Sequence, residues 1–314
     1  MKQTTLAEGG FEKFAKTTRR EAFLAEMDRV VPWAELCALI EPHYPKAGRG
    51  RPPIGLERML RLYFLQQWFK LSDPGLEDTL YDSVAMRRFV GIDLGLEPVP
   101  DETTVCKFRH LLERHDLGQQ IFARVGALLQ ARGFKVSEGT IVDATLISAP
   151  QSTKNASGQR DPEMGSTRKG KKWHFGLKAH VGVDHKTKLI HTVVATPGNV
   201  GDGPMIGQLL HGRERWVMGD KAYVGQRSSI KQAAPNARDL TLAKAQANNP
   251  LKPIDEHVNQ VRSRIRSRVE HVFGVIKCVF GYDKLRYKGI AKNANQLFVV
   301  SALANLFMVR RKLA

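Results

Sequence analysis

The stretch WHFGLKAHVGV, residues 173–183, alternates along its length. Trp173, Phe175, Leu177, Ala179, Val181 and Val183 fall on one side of an extended chain, and His174, Lys178 and His180 on the other. A period of two marks a strand with one buried face and is incompatible with a helix, whose faces recur every ~3.6 residues. Asp184-His185-Lys186-Thr187 reads as a hairpin turn, and KLIHTVVATP (188–197) returns as a partner strand. TIVDATLI (140–147) is a further β-branched run, and RWVMGD (215–220) a short strand ending at Asp220.

Upstream the period is helical. Phe23, Leu24, Met27, Val30 and Val31 recur at helical spacing within a predicted helix over 11–40. After the Pro/Gly break PHYPKAGRGRPP (42–53), Leu56, Met59, Leu60, Tyr63, Phe64 and Trp68 form an apolar stripe. Further helices are expected over 75–90, 102–115 and 117–132, the last ending at Gly133. After the strands come a helix at 202–212, a long helix carrying Glu270 and an apolar helix over 292–311, with 150–172 polar and loop-like. The expectation is an α/β protein: a helical domain over 1–135, then a mixed-sheet domain over 136–314.

Charge is unevenly spread along the 314 residues. Residues 1–150 hold 20 basic and 20 acidic side chains, whereas residues 151–314 hold 29 and 11, so the whole net charge of +18 lies in the second half. Such a surface suits a phosphate backbone, because each neutralised phosphate releases condensed counterions. Cys37, Cys106 and Cys278 are far apart and form no CxxC pair, which fits a reducing cytoplasm without disulfides or structural zinc. No apolar signal segment opens the chain, and FVVSALANLFMV near its end is too short to span a bilayer.

Three acids stand out by position: Asp143 on the first strand, Asp220 at the end of the short strand, and Glu270 within a basic helix. Carboxylates without His or Cys suit hard Mg²⁺ or Mn²⁺. Two such ions can activate a nucleophilic oxygen and stabilise a leaving oxygen in phosphoryl displacement. By spacing alone the same acids also suit helix caps and salt bridges, such as an i,i+4 pair between Arg266 and Glu270.

Several blocks narrow the choice. GRGRPPIGLERMLRLYFLQQWFKLSDPGLEDTLYDSVAMRRFVGID, VDATLISAP, DPEMGSTRKGKKWHFGLKAHVGVD, TPGNVGD, GDKAY, and RVEHVFGVIK followed by YDKLRYKG occur in this order. Together the chain resembles, nearly end to end, bacterial DDE transposases of the insertion sequence 5 family. The resemblance implies a ribonuclease H-like catalytic core after a helical DNA-binding and assembly domain. It carries the family triad onto Asp143, Asp220 and Glu270 as catalytic residues and ligands of two Mg²⁺ or Mn²⁺ ions. It implies DNA as partner, both terminal inverted repeats and target, with a homodimer or larger synaptic complex, no membrane, and a nucleoid-associated cytoplasmic setting. Related transposases have Tyr-x2-Arg-x3-Glu-x6-Lys on the last catalytic helix; Arg266, Glu270 and Lys277 match, and Ser263 stands at the tyrosine position.

Arg266 and Lys277 are expected to hold phosphates beside the acids. Lys178 is a candidate DNA contact on the polar face of its strand. Lys107, Arg109 and Arg114 are expected to point outward from a DNA-contacting helix. Arg49 and Arg51, in GRGRPP, are candidates for the minor groove, against the alternative of a linker before a helix. Asp202 is read as a helix N-cap, with a fourth metal ligand as the alternative, and Asp184 as a turn residue. The last helix is expected in the core, with a dimer surface as the alternative.

Overall fold

A computed structural model describes residues 16–48, 52–134, 136–156, 158–245 and 250–313. Two compact units divide it: residues up to His115 together with Val309–Ala314, and Asp116–Met308.

The first unit is helical: α1 (Arg19–Val30), α2 (Trp33–Ile40), α3 (Leu56–Phe69), α4 (Asp73–Asp82), α5 (Val84–Val90) and α6 (Glu102–Arg114). The helix expected over 11–40 is broken at Val31-Pro32, and the one expected over 75–90 at Ser83. In both cases the backbone turns extended or loses a donor, and a new helix starts. Ser83 caps the second piece by accepting from Met86 N–H. The apolar stripe on α3 is wider than its spacing suggested. Met59, Leu60, Leu62, Tyr63, Phe64, Leu65, Gln66, Gln67 and Trp68 are all buried, so the helix is surrounded on every side.

In the second unit, α7 (Leu117–Ala131) precedes a six-stranded sheet of β1 (Gly139–Ser148), β2 (Gly165–Lys169), β3 (Lys172–Asp184), β4 (Ile190–Pro197), β5 (Trp216–Met218) and β6 (Arg238–Asp239). The order is β2-β3-β1-β5-β6, with β4 also on β3. β3 lies antiparallel to β1, β2 and β4, while β5 lies parallel to β1 and β6 to β5. Helices α8 (Arg227–Ala233), α9 (Pro253–Arg266), α10 (Arg268–Gly274) and α11 (Ile290–Leu313) complete the unit, α11 running on into the first. This is the mixed-sheet, ribonuclease H-like fold of the α/β class.

The alternation on β3 holds only where the sheet covers it. Phe175, Leu177, Ala179, Val181 and Val183 are buried as expected. Trp173 is not: it is 68% exposed, because β1 pairs with β3 only from Gly176 onward. The polar side departs too. His180 is fully buried, because a 3₁₀ segment (Gly203–Leu209) packs over β3 and β4. Gly182 permits that approach, since a Cβ there would collide with the Leu209 carbonyl oxygen. The region 150–172, expected as loop, contains β2, and the long helix expected around Glu270 is three pieces: α9, α10 and a π-helical turn (Val275–Val279).

Asn305 on α11 docks the sheet, accepting from Ile190 N–H at 2.9 Å and donating to Ile190 C=O at 2.8 Å. Leu297, Val299, Leu303 and Leu306 of the same helix are buried, as expected of a core helix. Among the described residues no helix is long and apolar enough to cross a membrane.

His191 on β4 is half-buried, its Nε2 3.1 Å from Thr140 Oγ1 and its Nδ1 2.8 Å from Thr192 Oγ1. Burial, with His211 beside it, pulls its pKa down to about 3. The unfolded chain takes a proton near pH ~6.5, so this residue's stabilisation is present above that pH and is lost as pH falls toward 3. At pH ~5 the loss is at most ~2 kcal/mol. In thermal unfolding at neutral and mildly acidic pH, His191→Gln should lose less stability on acidification than the wild type. An equal loss would refute the reading.

Candidate active site

Asp143 sits midway along β1, opposite Val181 of β3. Its Oδ1 accepts from Ala144 N–H at 2.8 Å, and its Oδ2 accepts from Arg266 Nη1 at 2.7 Å. Arg266 ends α9, and its Nη2 reaches Glu270 Oε1 at 3.2 Å. One guanidinium thus joins the strand acid to the helix acid. Ser267 ends α9 and restarts the chain as α10, placing Glu270 in the first turn of the new helix with its side chain 63% exposed. Unpaired N–H groups at a helix start favour a carboxylate there.

Asp220 follows β5, the parallel neighbour of β1, and caps a short turn by accepting from Ala222 N–H at 2.8 Å. Asp143 on β1 and Asp220 just past β5 therefore belong to adjacent strands of one sheet. Their charges interact. Asp143 has its pKa raised to about 6, first by burial, which outweighs the Ala144 N–H and Arg266, and further by the negative charges of Asp220 and Asp202.

Asp202 thus joins the site. It precedes the 3₁₀ segment, yet its side chain caps nothing. It accepts from Lys178 Nζ at 3.0 Å and lies 3.9 Å from His180 Nδ1. The N-cap expectation fails because a lysine on the neighbouring strand claims the carboxylate. Burial holds His180 neutral, pulling its pKa to about 4 against the attraction of Asp202.

Tyr223 was passed over in the sequence. It is fully buried, its hydroxyl finds no hydrogen-bond partner among the described residues, and burial raises its pKa, with Asp143, Asp202 and Asp220 adding to the rise. GDKAY held the only signal, an aromatic three residues after a strand-end acid.

The cations expected to hold phosphates are differently placed. Lys178 donates to Val200 C=O at 2.8 Å as well as to Asp202. Lys277 lies in the π-helical turn and donates to Leu146 C=O of β1 at 2.7 Å. Arg109 faces inward rather than outward, 6% exposed and bonded to Asp73 at 2.8 Å and Glu113 at 3.3 Å, while Lys107 and Arg114 are exposed. Arg49 and Arg51 lie outside the described residues. Asp184 is the turn residue expected, buried at the hairpin; hydrogen bonds from Ser137 and Thr187 outweigh burial and hold its pKa low.

The donor set fits a hard divalent cation in its chemistry. Asp143 and Asp220 are like-charged carboxylates within electrostatic reach of each other, and the cation that relieves Asp143 is Arg266. Among the described residues no three acid, His or Cys groups stand close enough to hold an ion as they are.

Burial of Asp143 has a thermodynamic signature. Its unfolded pKa is near ~3.9 and its folded pKa about 6, so the folded state binds the proton more tightly and loses stability as pH rises through that window. The loss by pH ~8 is on the order of 2–3 kcal/mol. Asp143→Asn carries no such loss. Its thermal midpoint relative to wild type should therefore climb between pH ~4.5 and ~8. A constant offset between the two proteins would show that the carboxylate is not desolvated.

Two family models match the chain. The one described as "Transposase DDE domain" matches residues 135–306, the span that holds Asp143, Asp220 and Glu270. The other, "Transposase domain (DUF772)", matches residues 12–111, within the helical unit. Transposases act on DNA, and DDE domains generally use divalent metal ions. With the mixed sheet, the strand-end acids and a family match over more than half its length, the chain belongs to the DDE transposases.

Proposed function

We propose that this protein is an insertion-sequence transposase of the insertion sequence 5 type. It binds the terminal inverted repeats of its element, cleaves the ends by metal-dependent hydrolysis and joins the resulting 3′-OH to target DNA by transesterification. The observation that carries the reading is the largely desolvated, charge-strained carboxylate of Asp143, within electrostatic reach of Asp220 just past the next strand and tied through Arg266 to Glu270.

In this reading Asp143, Asp220 and Glu270 hold two Mg²⁺ or Mn²⁺ ions. The ions, when bound, supply the Lewis acidity that activates water or a 3′-OH and stabilises the leaving oxygen. The protein's own groups do the rest. β1 and β5 fix the two aspartates on a rigid sheet, so little reorganisation accompanies the reaction. Glu270, exposed on α10, is free to swing toward them. Arg266 offsets part of the charge of Asp143 in the resting protein, and with a divalent ion held there its guanidinium would be available to a phosphate. Lys178 orients Asp202 and is a DNA contact only after releasing it. Lys107 on the first unit, with Arg49 and Arg51, would touch the inverted repeats, and Lys277 buttresses β1 near the bound strand. Two ends are cut and joined together, so the working form is a homodimer or larger assembly in the bacterial cytoplasm at the nucleoid. Ser263 in place of the tyrosine argues for an end-processing route that does not depend on that aromatic.

A nuclease on the same fold would cut without joining, and a silent DNA-binding repressor would do neither. Incubation with labelled duplex carrying the DNA that flanks the gene, with Mg²⁺ or Mn²⁺, separates the three. Wild type should nick the ends and give joined product from precut ends. Asp143→Asn, Asp220→Asn and Glu270→Gln should each lower cleavage by roughly 100-fold or more. Cleavage unchanged in these variants would sink the assignment, and cleavage without joining would favour the nuclease.

A further inference from the structure

The end of the β2–β3 hairpin stands apart from the sheet. β1 pairs with β3 down to Gly176, Ala149 N–H just after it still bonds Phe175 C=O, and β4 pairs down to Leu177; beyond Phe175 only β2 and β3 pair with each other. The turn is made by Gly170, at φ +62. Around it Arg168, Lys169, Lys171 and Lys172 put four cations within five residues, all exposed, none with a carboxylate partner among the described residues. Trp173 follows, 68% exposed, the most exposed of the aromatic side chains described.

Register decides the faces. Arg168 pairs with Trp173 and Lys169 with Lys172, and cross-strand partners share a face. Two lysines directly opposite each other repel, so the ribbon as built is unfavourable until an anion lies against it. An exposed tryptophan beside them wants an apolar or π surface as well. Phosphate and base together supply both. Lys169 lies within electrostatic reach of Lys277 in the π-helical turn, whose pKa is lowered first by burial and then by the charge of Lys169.

Dimensions narrow the partner. From Phe175 to Lys172 the free ribbon runs ~10 Å, with strands ~4.8 Å apart. The major groove of duplex DNA is ~12 Å wide and ~8.5 Å deep and admits a two-stranded ribbon. Trp173 lies eight residues along β3 from Val181, the partner of Asp143, a reach of ~27 Å or about eight base pairs of duplex.

We propose that the free end of the β2–β3 ribbon, Arg168, Lys169, Lys171 and Lys172 with Trp173, docks in the major groove of the duplex on which the active site acts, about eight base pairs from the reacting bond. The lysines hold phosphates, and Arg168 with Trp173 faces base edges. The inference rests on the transposase reading and adds to it a DNA contact in the catalytic unit itself.

The test uses the full chain and a fluorescein-labelled mixed-sequence duplex of about three helical turns, read by anisotropy across a salt series. Replacing Arg168, Lys169, Lys171 and Lys172 together by Ala should reduce the slope of log affinity against log salt by about three to four. Trp173→Ala should weaken binding without changing that slope. Methyl green, which fills the major groove, should erase the difference between wild type and the fourfold variant, and netropsin, in the minor groove, should leave it. Circular dichroism melting of both variants should match wild type, because the ribbon end lies outside the core. An unchanged slope overturns the proposal, and so does erasure by netropsin alone. A change of mass by light scattering with unchanged DNA binding would make the ribbon a contact between copies of the chain, and would overturn it too. Wild type that binds no duplex would remove the transposase reading itself, an outcome distinct from all of these.

Discussion

The second unit depends on one guanidinium. Arg266 reaches from the end of α9 to Asp143 on β1 and to Glu270 on α10, so one side chain links the strand to both helices. A carboxylate buried in a sheet without a partner would be strongly destabilising, and Asp143 has Asp220 and Asp202 pressing on it as well. Arg266 offsets part of that burden, since its side chain is only 21% exposed and its planar fork serves two acceptors at once. The raised pKa of Asp143 shows that the offset is incomplete. A site left in residual repulsion is one that a more concentrated cation would relieve, and such stored cost is the usual companion of function.

The strain can persist because the sheet beneath it is over-determined. β3 is paired on both edges and covered on both faces where it runs beside Asp143. Gly182 lets the Gly203–Leu209 segment close down on it, and the same segment begins at Asp202, which Lys178 pulls back toward β3. Val142, Ile206, Leu209, Val217, Tyr223 and Ile230 pack into one cluster, Val142 next to Asp143 in sequence and Val217 and Tyr223 on either side of Asp220. The residues around the acids are therefore also core residues, and a change that loosened the core would shift the acids.

Much of this was legible in the sequence, and the exceptions share a cause. The period of β3, the β-branched run of β1 and the short strand before Asp220 located the sheet, because alternation reports burial on one face. The same rule misplaced Trp173 and His180, because period alone does not say where neighbouring strands stop or whether a second layer covers the polar side. The breaks at Ser83 and Ser267 were missed since an uncapped helical period runs through both, and serine is only a weak breaker. β2 was missed because GSTRK has no apolar alternation; its pairing comes from the backbone and from β3. The three acids stood out by position, but caps and salt bridges explained them equally well until the order of the blocks was considered. Asp202 and Tyr223 were not separable from turn and core residues, since their importance lies in what the fold brings to them.

The distribution of positive charge has a consequence for how DNA is held. Arg266, Lys178 and Lys277 each donate to groups inside the protein, so the basic residues nearest the acids serve the fold in the resting state. Each of these internal bonds would have to be exchanged for a phosphate, and exchange of one hydrogen bond for another yields little net affinity. Exposed lysines such as Lys169, Lys171 and Lys172 give up no such bond among the described residues. They bring the full counterion-release gain, which scales with the number of phosphates neutralised. In the proposed reading the excess of the second half of the chain would act chiefly through its exposed members, drawing DNA to the surface. The half-buried Arg266, Lys178 and Lys277 would then act on the strand already delivered, where geometry counts for more than affinity.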